Sequence, residues 1–247
     1  MRIGALLLLV SLWIPRHGCA QESRLLTPPG ATPGIWGALE APDDPGPHPA
    51  VILLYGSSGW RPGYVDLAQR FADSGFVVLV LDYYAETGGA PIGSEEKLRK
   101  WEAWREAVRE AVTYLQGLPE VMGEHIALVG YSRGAFLAVS VAATIPEVHG
   151  VVDYFGGGGG GPLPLNEEVI GLPPLLILHG QKDQVVPVSF ARALQAAVLE
   201  AGGEVEMHLF PEADHAFNAP WAGTYAPEAE AEAWLLTLAF LRAQIGR

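Results

Sequence analysis

The pentapeptide Gly130-Tyr131-Ser132-Arg133-Gly134 has the pattern Gly-x-Ser-x-Gly. It follows a short apolar run, 126–129, and precedes a segment of helical texture, 134–144. A serine on a sharp strand-to-helix turn projects its hydroxyl from the sheet. The residues two before and two after it must then be small, because a side chain there would meet the adjoining strand or helix. Ser132 is therefore the candidate nucleophile. A serine hydroxyl needs a base to attack at neutral pH. Of the seven histidines, His17 lies in the N-terminal apolar segment and His48 in a proline-rich turn. His125 and His149 precede strands at the far edge of the sheet, and His208 falls within a strand. His215, in the loop 211–217 after the last expected strand, is preferred to His179, which closes the run 175–178. The imidazole needs a carboxylate to fix its tautomer and stabilise its cation. Asp183, in the turn after His179, is preferred to Asp153. The order Ser132, Asp183, His215 is that of α/β-hydrolases. An oxyanion hole needs two N–H groups aimed at developing charge. The amide of Arg133 is one. Ser57, in the loop Tyr55-Gly56-Ser57-Ser58-Gly59-Trp60, is the expected second donor.

These residues require a frame that brings distant loops to one edge. From residue 50 onward, short runs apolar on both faces (50–54, 76–81, 126–129, 150–152, 175–178) alternate with helical segments (64–74, 94–116, 134–144, 188–201, 227–244). Such alternation predicts an α/β fold with a mostly parallel sheet flanked by helices, its ligands lying beyond the C-terminal strand ends. The segment 205–210 alternates more, as an outer strand does. Trp101 and Trp104 fall on the apolar face of the 94–116 helix and are read as core. Trp60, Tyr84, Phe217 and Trp221 are candidate walls of the substrate pocket, with Arg133 beside the nucleophile. The run Gly156 to Gly161 is followed by Pro162 and Pro164 rather than a helix start, which argues against a dinucleotide site. It is expected to be a flexible connector or a mobile pocket wall.

Three segments follow from composition. Residues 1–20 combine a positive start, an apolar run from Ile3 to Ile14 and the small residues Gly18-Cys19-Ala20. That is the layout of a signal peptide and is too short for a membrane span. Secretion or release to a periplasm is the expectation, with lipid attachment at Cys19 the lesser alternative. Residues 21–49 are proline-rich, with a short edge strand near 35–39, and 50–247 form the catalytic domain. The chain of 247 residues has a net charge of −13; loss of Arg2 and Arg16 with the leader makes it −15. Such a balance excludes a nucleic-acid partner. Cys19 is the only cysteine, so the mature chain has no thiolate nucleophile or disulfide. Nothing in the sequence sets an oligomeric state.

The elbow, the segment His179-Gly180-Gln181-Lys182-Asp183-Gln184-Val185-Val186-Pro187 and Asp214-His215-Ala216-Phe217 together resemble the dienelactone hydrolase family of α/β-hydrolases, over most of residues 35–245. The resemblance implies an α/β-hydrolase fold with minimal or no cap and hydrolysis of small-molecule esters or lactones. It places nucleophile, acid and base at Ser132, Asp183 and His215, and it calls for no metal or organic cofactor. Three departures stand out. The namesake enzymes have cysteine at the position of Ser132 and a glutamate in the oxyanion loop. No substrate-gripping arginine is evident in Asp82-Tyr83-Tyr84-Ala85-Glu86. Two other readings share the motif: a peptidase of the prolyl-oligopeptidase type, and a non-catalytic binding protein on a hydrolase scaffold.

Overall fold

A computed structural model describes residues 23–27, 34–89 and 94–246. The expected leader, residues 1–20 with Cys19, lies outside them. In chain order the elements are β1 (Arg24–Leu25), β2 (Trp36–Glu40), β3 (His48–Leu54), α1 (Pro62–Ala72), β4 (Val77–Leu81), α2 (Ser94–Gln116), β5 (Val121–Tyr131), α3 (Arg133–Ala142), β6 (Val148–Tyr154), α4 (Leu165–Glu168), β7 (Leu175–Gly180), α5 (Ser189–Glu200), β8 (Val205–Phe210) and α6 (Pro227–Ile245). The strands make one sheet in the order β1-β2-β4-β3-β5-β6-β7-β8. β2 runs antiparallel to β1 and β4, and the remaining pairs are parallel.

The central strands are apolar on both faces because both faces are covered. Residues 50–54 of β3 and 77–80 of β4 are fully buried. The glycines show which helix covers which face. Gly150 pairs with Ala127, and a Cβ on it would meet the Phe240 ring of α6. Gly130, three residues further along β5 and so on the opposite face, would meet Ala135 of α3. α1 joins α6 on its face through the Phe71–Trp234 ring contact at 4.5 Å and the Arg70–Glu230 ion pair at 2.8 Å. α2 joins α3, with Trp101 Nε1 donating to Ser140 Oγ at 3.1 Å. Trp101 and Trp104 are both core. α6 begins at Pro227, with Glu228 and Glu230 in the first turn and Arg242 in the last, each suiting the helix dipole.

Several boundaries differ from the sequence reading. β5 starts at Val121 and β3 at His48, because pairing between them extends backward past a register shift. His125 and His149 thus stand inside β5 and β6, still at their N-terminal ends. The strand expected at the edge near 35–39 is second from it: the two-residue β1 pairs outside β2. Among the described residues no helix is long and apolar enough to cross a membrane. The β6–β7 connection holds only the four-residue α4, so no cap domain is inserted there.

Candidate active site

Ser132 sits between the last residue of β5 and the first of α3, with φ 53° and ψ −118°. This strained geometry is fixed from both sides. Ser132 N donates to Tyr154 O at 2.9 Å, and its carbonyl accepts from Ala135 N at 2.9 Å. The flanking glycines are obligatory. A Cβ on Gly134 would lie 2.0 Å from Leu54 O, and one on Gly130 would lie 2.4 Å from Ala135 Cα. The strand end and the helix start therefore approach too closely for any side chain.

The loops after β7 and β8 are tied together. Gln181 N donates to Phe210 O at 2.9 Å and Lys182 N to Ala213 O at 3.0 Å. Gly180 allows the approach, since a Cβ there would lie 2.4 Å from Ala213 O. The result brings His215 between Ser132 and Asp183. His215 Nε2 is 3.0 Å from Ser132 Oγ, and His215 Nδ1 is 2.8 Å from Asp183 Oδ2. Asp183 Oδ1 accepts from the amides of Val185 at 2.8 Å and Val186 at 2.7 Å. Burial alone would raise the Asp183 pKa. The hydrogen bonds from His179, His215 and Val186 outweigh it and hold the carboxyl well below the ordinary carboxylate range. Asp214 Oδ1 accepts from His215 N at 2.6 Å and Gln184 N at 3.1 Å, which fixes the backbone that carries the imidazole.

The loop after β3 lies against Ser132: a Cβ on Gly56 would be 3.4 Å from Ser132 Cβ. Tyrosines hold it. Tyr64 OH accepts from Gly56 N at 3.2 Å, and Tyr83 OH donates to Tyr55 O at 2.7 Å. Tyr55 OH donates to Asp82 Oδ1 at 2.6 Å and accepts from Tyr84 N at 3.0 Å. The Gly56 amide is thus committed to Tyr64. The Ser57 and Arg133 amides donate to no protein group among the described residues. Arg133 also opens α3, whose N-terminus favours negative charge.

The pocket candidates divide. Tyr84 stands beside Gly59 of the loop, with its ring 5.0 Å from Trp104, and Arg133 lies 6.0 Å from the Trp104 ring. Trp221 is 43% exposed and packs on Tyr64 at 5.5 Å, and Trp60 is partly buried against the core. Phe217 is a correction: it is 0% exposed and packs on Phe155, Tyr154 and Phe210, so it backs the site without lining it. Its place in a loop after the last strand suggested exposure, but the loop folds inward over the sheet edge.

The glycine run is not a free connector. Gly156, Gly157 and Gly158 are buried. A Cβ on Gly156 would lie 2.4 Å from Ala135 Cβ, and one on Gly161 would lie 2.7 Å from Trp101 Nε1. Glu168 of α4 accepts from Gly159 N. The run therefore packs under α2, α3 and α4. Sequence reasoning missed Phe155, whose ring meets His215 edge-on at 4.9 Å. It also missed Phe136 and Phe190, in ring contact at 5.9 Å, which stand over Gly157 one turn from Ser132. A single aromatic residue carries no sequence signal of such a role.

The sheet order and the strained strand-to-helix turn at Ser132 after β5 define the α/β-hydrolase class. Within it, the dienelactone hydrolase family model matches residues 35–245, and the chain belongs to that family. A Synechocystis sp. protein named "Putative carboxymethylenebutenolidase" is 25% identical over 86% of this chain and 93% of its own length. Rat acyl-coenzyme A thioesterase 1 is 33% identical over 66% of this chain, which spans 37% of that protein. A crystal structure titled as a putative dienelactone hydrolase from Klebsiella pneumoniae superposes with TM-score 0.76 at 20% identity, covering 89% of this chain and 97% of its own. The chain is a carboxylic ester hydrolase.

Proposed function

We propose that the protein cleaves carboxylic esters or lactones through an acyl-enzyme on Ser132. The observation that carries this reading is the chain Ser132 Oγ–His215–Asp183 at 3.0 and 2.8 Å. Ser132 Oγ attacks the ester carbonyl while its proton passes to His215 Nε2. The oxyanion accepts hydrogen bonds from the Ser57 and Arg133 amides. As the tetrahedral centre collapses, His215 returns the proton to the leaving alkoxide, and Ser132 is left acylated. Water then attacks the acyl carbon, gives its proton to His215 Nε2, and releases the acid as Ser132 Oγ takes the proton back. Asp183 holds the Nδ1 proton and stabilises the imidazolium throughout.

The substrate panel that tests this holds short p-nitrophenyl esters, lactones, acyl-CoA thioesters and prolyl peptide amides. Turnover of esters or lactones with inert peptide amides is expected. Amide turnover exceeding ester turnover would transfer the chain to the peptidase reading. His215→Ala is expected to lose at least about 10³-fold in kcat.

We infer that residues 1–20 direct export and are removed after Ala20, which the order of charge, apolar run and small residues supports. Intact mass of the exported protein is expected to begin at Gln21. A lipid adduct on Cys19 would favour the lipoprotein route instead.

A further inference from the structure

Four exposed apolar side chains are grouped about Ser132, each tied by one or two contacts to a different part of the site. Val185 is 68% exposed, two residues after Asp183, and its amide donates to Asp183 Oδ1 at 2.8 Å. Tyr225 is 38% exposed and follows Thr224, whose hydroxyl donates to His215 O. Trp221, 43% exposed, packs at 5.5 Å on Tyr64, the residue that accepts from Gly56 N beside Ser132. Phe190, 45% exposed in the first turn of α5, meets the Phe136 ring at 5.9 Å, and Phe136 N donates to Ser132 O at 3.2 Å. All four stand on segments that follow β7 or β8, at the C-terminal strand ends where an α/β sheet takes its ligands.

The opposite end of the sheet is built differently. The hollow there is lined by Glu124, His125, Glu147 and His149, with Pro146 and Gln244. Around the four apolar side chains the nearby charges are engaged already: Lys182 pairs with Glu212, and Asp214 Oδ1 takes the amides of His215 and Gln184. At these exposures each of the four leaves out on the order of 100 Å², so together they present roughly 400 Å² of largely apolar surface. Exposed patches of that size mark functional contacts on monomers. One partner of a stable protein dimer buries about 800 Å², twice what the four offer, which argues against a second copy of the chain. The net charge of −13 opposes an anionic bilayer. A neutral apolar phase fits both limits, and the serine beside the patch says what that phase is made of, namely ester. No cap domain between β6 and β7 holds such a surface away from it.

We propose that Val185, Phe190, Trp221 and Tyr225 form an apolar rim that seats the enzyme on droplets of water-insoluble neutral esters, from whose surface Ser132 draws its substrate. The inference rests on the ester-hydrolysis reading above and adds the polarity and physical state of the substrate. With glycerol tributyrate as the probe, each turnover breaks one ester bond, and water adds across it to give butyric acid and glycerol dibutyrate.

The test follows the initial rate of the wild-type protein as glycerol tributyrate passes its solubility limit. The rate is expected to rise steeply once droplets form. A rate that saturates below the limit and gains nothing from droplets overturns the proposal. The double variant Val185→Ser with Tyr225→Ser removes about half of the rim without touching the reacting groups. It is expected to keep kcat/KM on dissolved p-nitrophenyl acetate within about twofold and to lose at least about tenfold on the emulsion, because apolar area drives the docking. An unchanged emulsion rate overturns the proposal; if both rates fall together, the wild-type step at the solubility limit decides. A third measurement needs no turnover. Ser132→Ala is expected to float with tributyrate droplets and to stay in solution with phosphatidylglycerol vesicles. Equal capture by the vesicles, or sedimentation of the free protein as a dimer that the double variant dissociates, overturns the proposal in favour of a bilayer or a second copy. Wild-type protein inert toward dissolved and emulsified esters alike fails the ester reading; activity on dissolved ester with no gain from droplets fails this inference alone.

Discussion

Outside glycine, three described residues adopt left-handed backbone angles: Ser132 at φ 53°, Phe155 at 44° and Ala216 at 59°. Each borders the same imidazole: one is its hydrogen-bond partner, one packs on its ring and one follows it in the chain. Such angles cost on the order of 1 kcal/mol each and persist where surrounding structure holds them. Phe155 gains from its angle a ring set edge-on to His215, a contact worth about 0.5–1.5 kcal/mol. Phe155→Leu is expected to lower kcat by up to about tenfold with little change in KM. A rise in KM at constant kcat, measured on a short ester, would place the ring in substrate binding instead. The elbow glycines make a firmer case. Gly134→Ala is expected to cost about 3 kcal/mol or more in denaturant unfolding, since the clash is with backbone. A cost under 1 kcal/mol would mean that the turn relaxes freely.

At the scale of elements, the sequence exposed what depends on local chemistry. The apolar runs, the strand-turn-helix frame of Ser132 and the helix over 94–116 were legible because each rests on periodicity or on steric need within a few residues. The two-residue β1 and the four-residue α4 were not, because elements so short are defined by their partners. The glycine run misled for the same reason. Glycine reads as freedom in isolation, yet here it permits close approach of Ala135, Phe136 and Trp101. Alanine scanning separates the two uses. Gly156→Ala is expected to destabilise by about 3 kcal/mol through its clash with Ala135. Gly159→Ala, at φ 73° with only Leu165 Cβ at 3.6 Å, should cost about 1 kcal/mol for its backbone angle alone. Equal small costs at both positions would restore the connector reading. The tyrosine lattice under the loop after β3 was equally hidden, since Tyr55, Tyr64 and Tyr83 meet only once β3, α1 and β4 are packed.

For the molecule as a whole, acidity and the proposed catalysis meet at Asp183. A carboxyl held below its ordinary range stabilises the fold above the unfolded-state pKa of about 3.9, and that stabilisation is lost as pH falls toward the folded value. The Tm difference between wild type and Asp183→Asn is therefore expected to be largest near neutral pH and to shrink below about pH 4. A pH-independent difference would mean that the charge of Asp183 contributes nothing to stability. The net charge of −13 bears on solubility and partners; the proposed catalysis depends on how the sheet edge brings three loops together. The central claim is that Ser132 is a nucleophile activated there, and covalent labelling tests it most directly. Purified protein treated with a fluorophosphonate near pH 8 is expected to gain one adduct, mapped by peptide mass to Ser132 and lost in Ser132→Ala. Folded protein that stays unlabelled, or carries the adduct on another residue, would contradict the account.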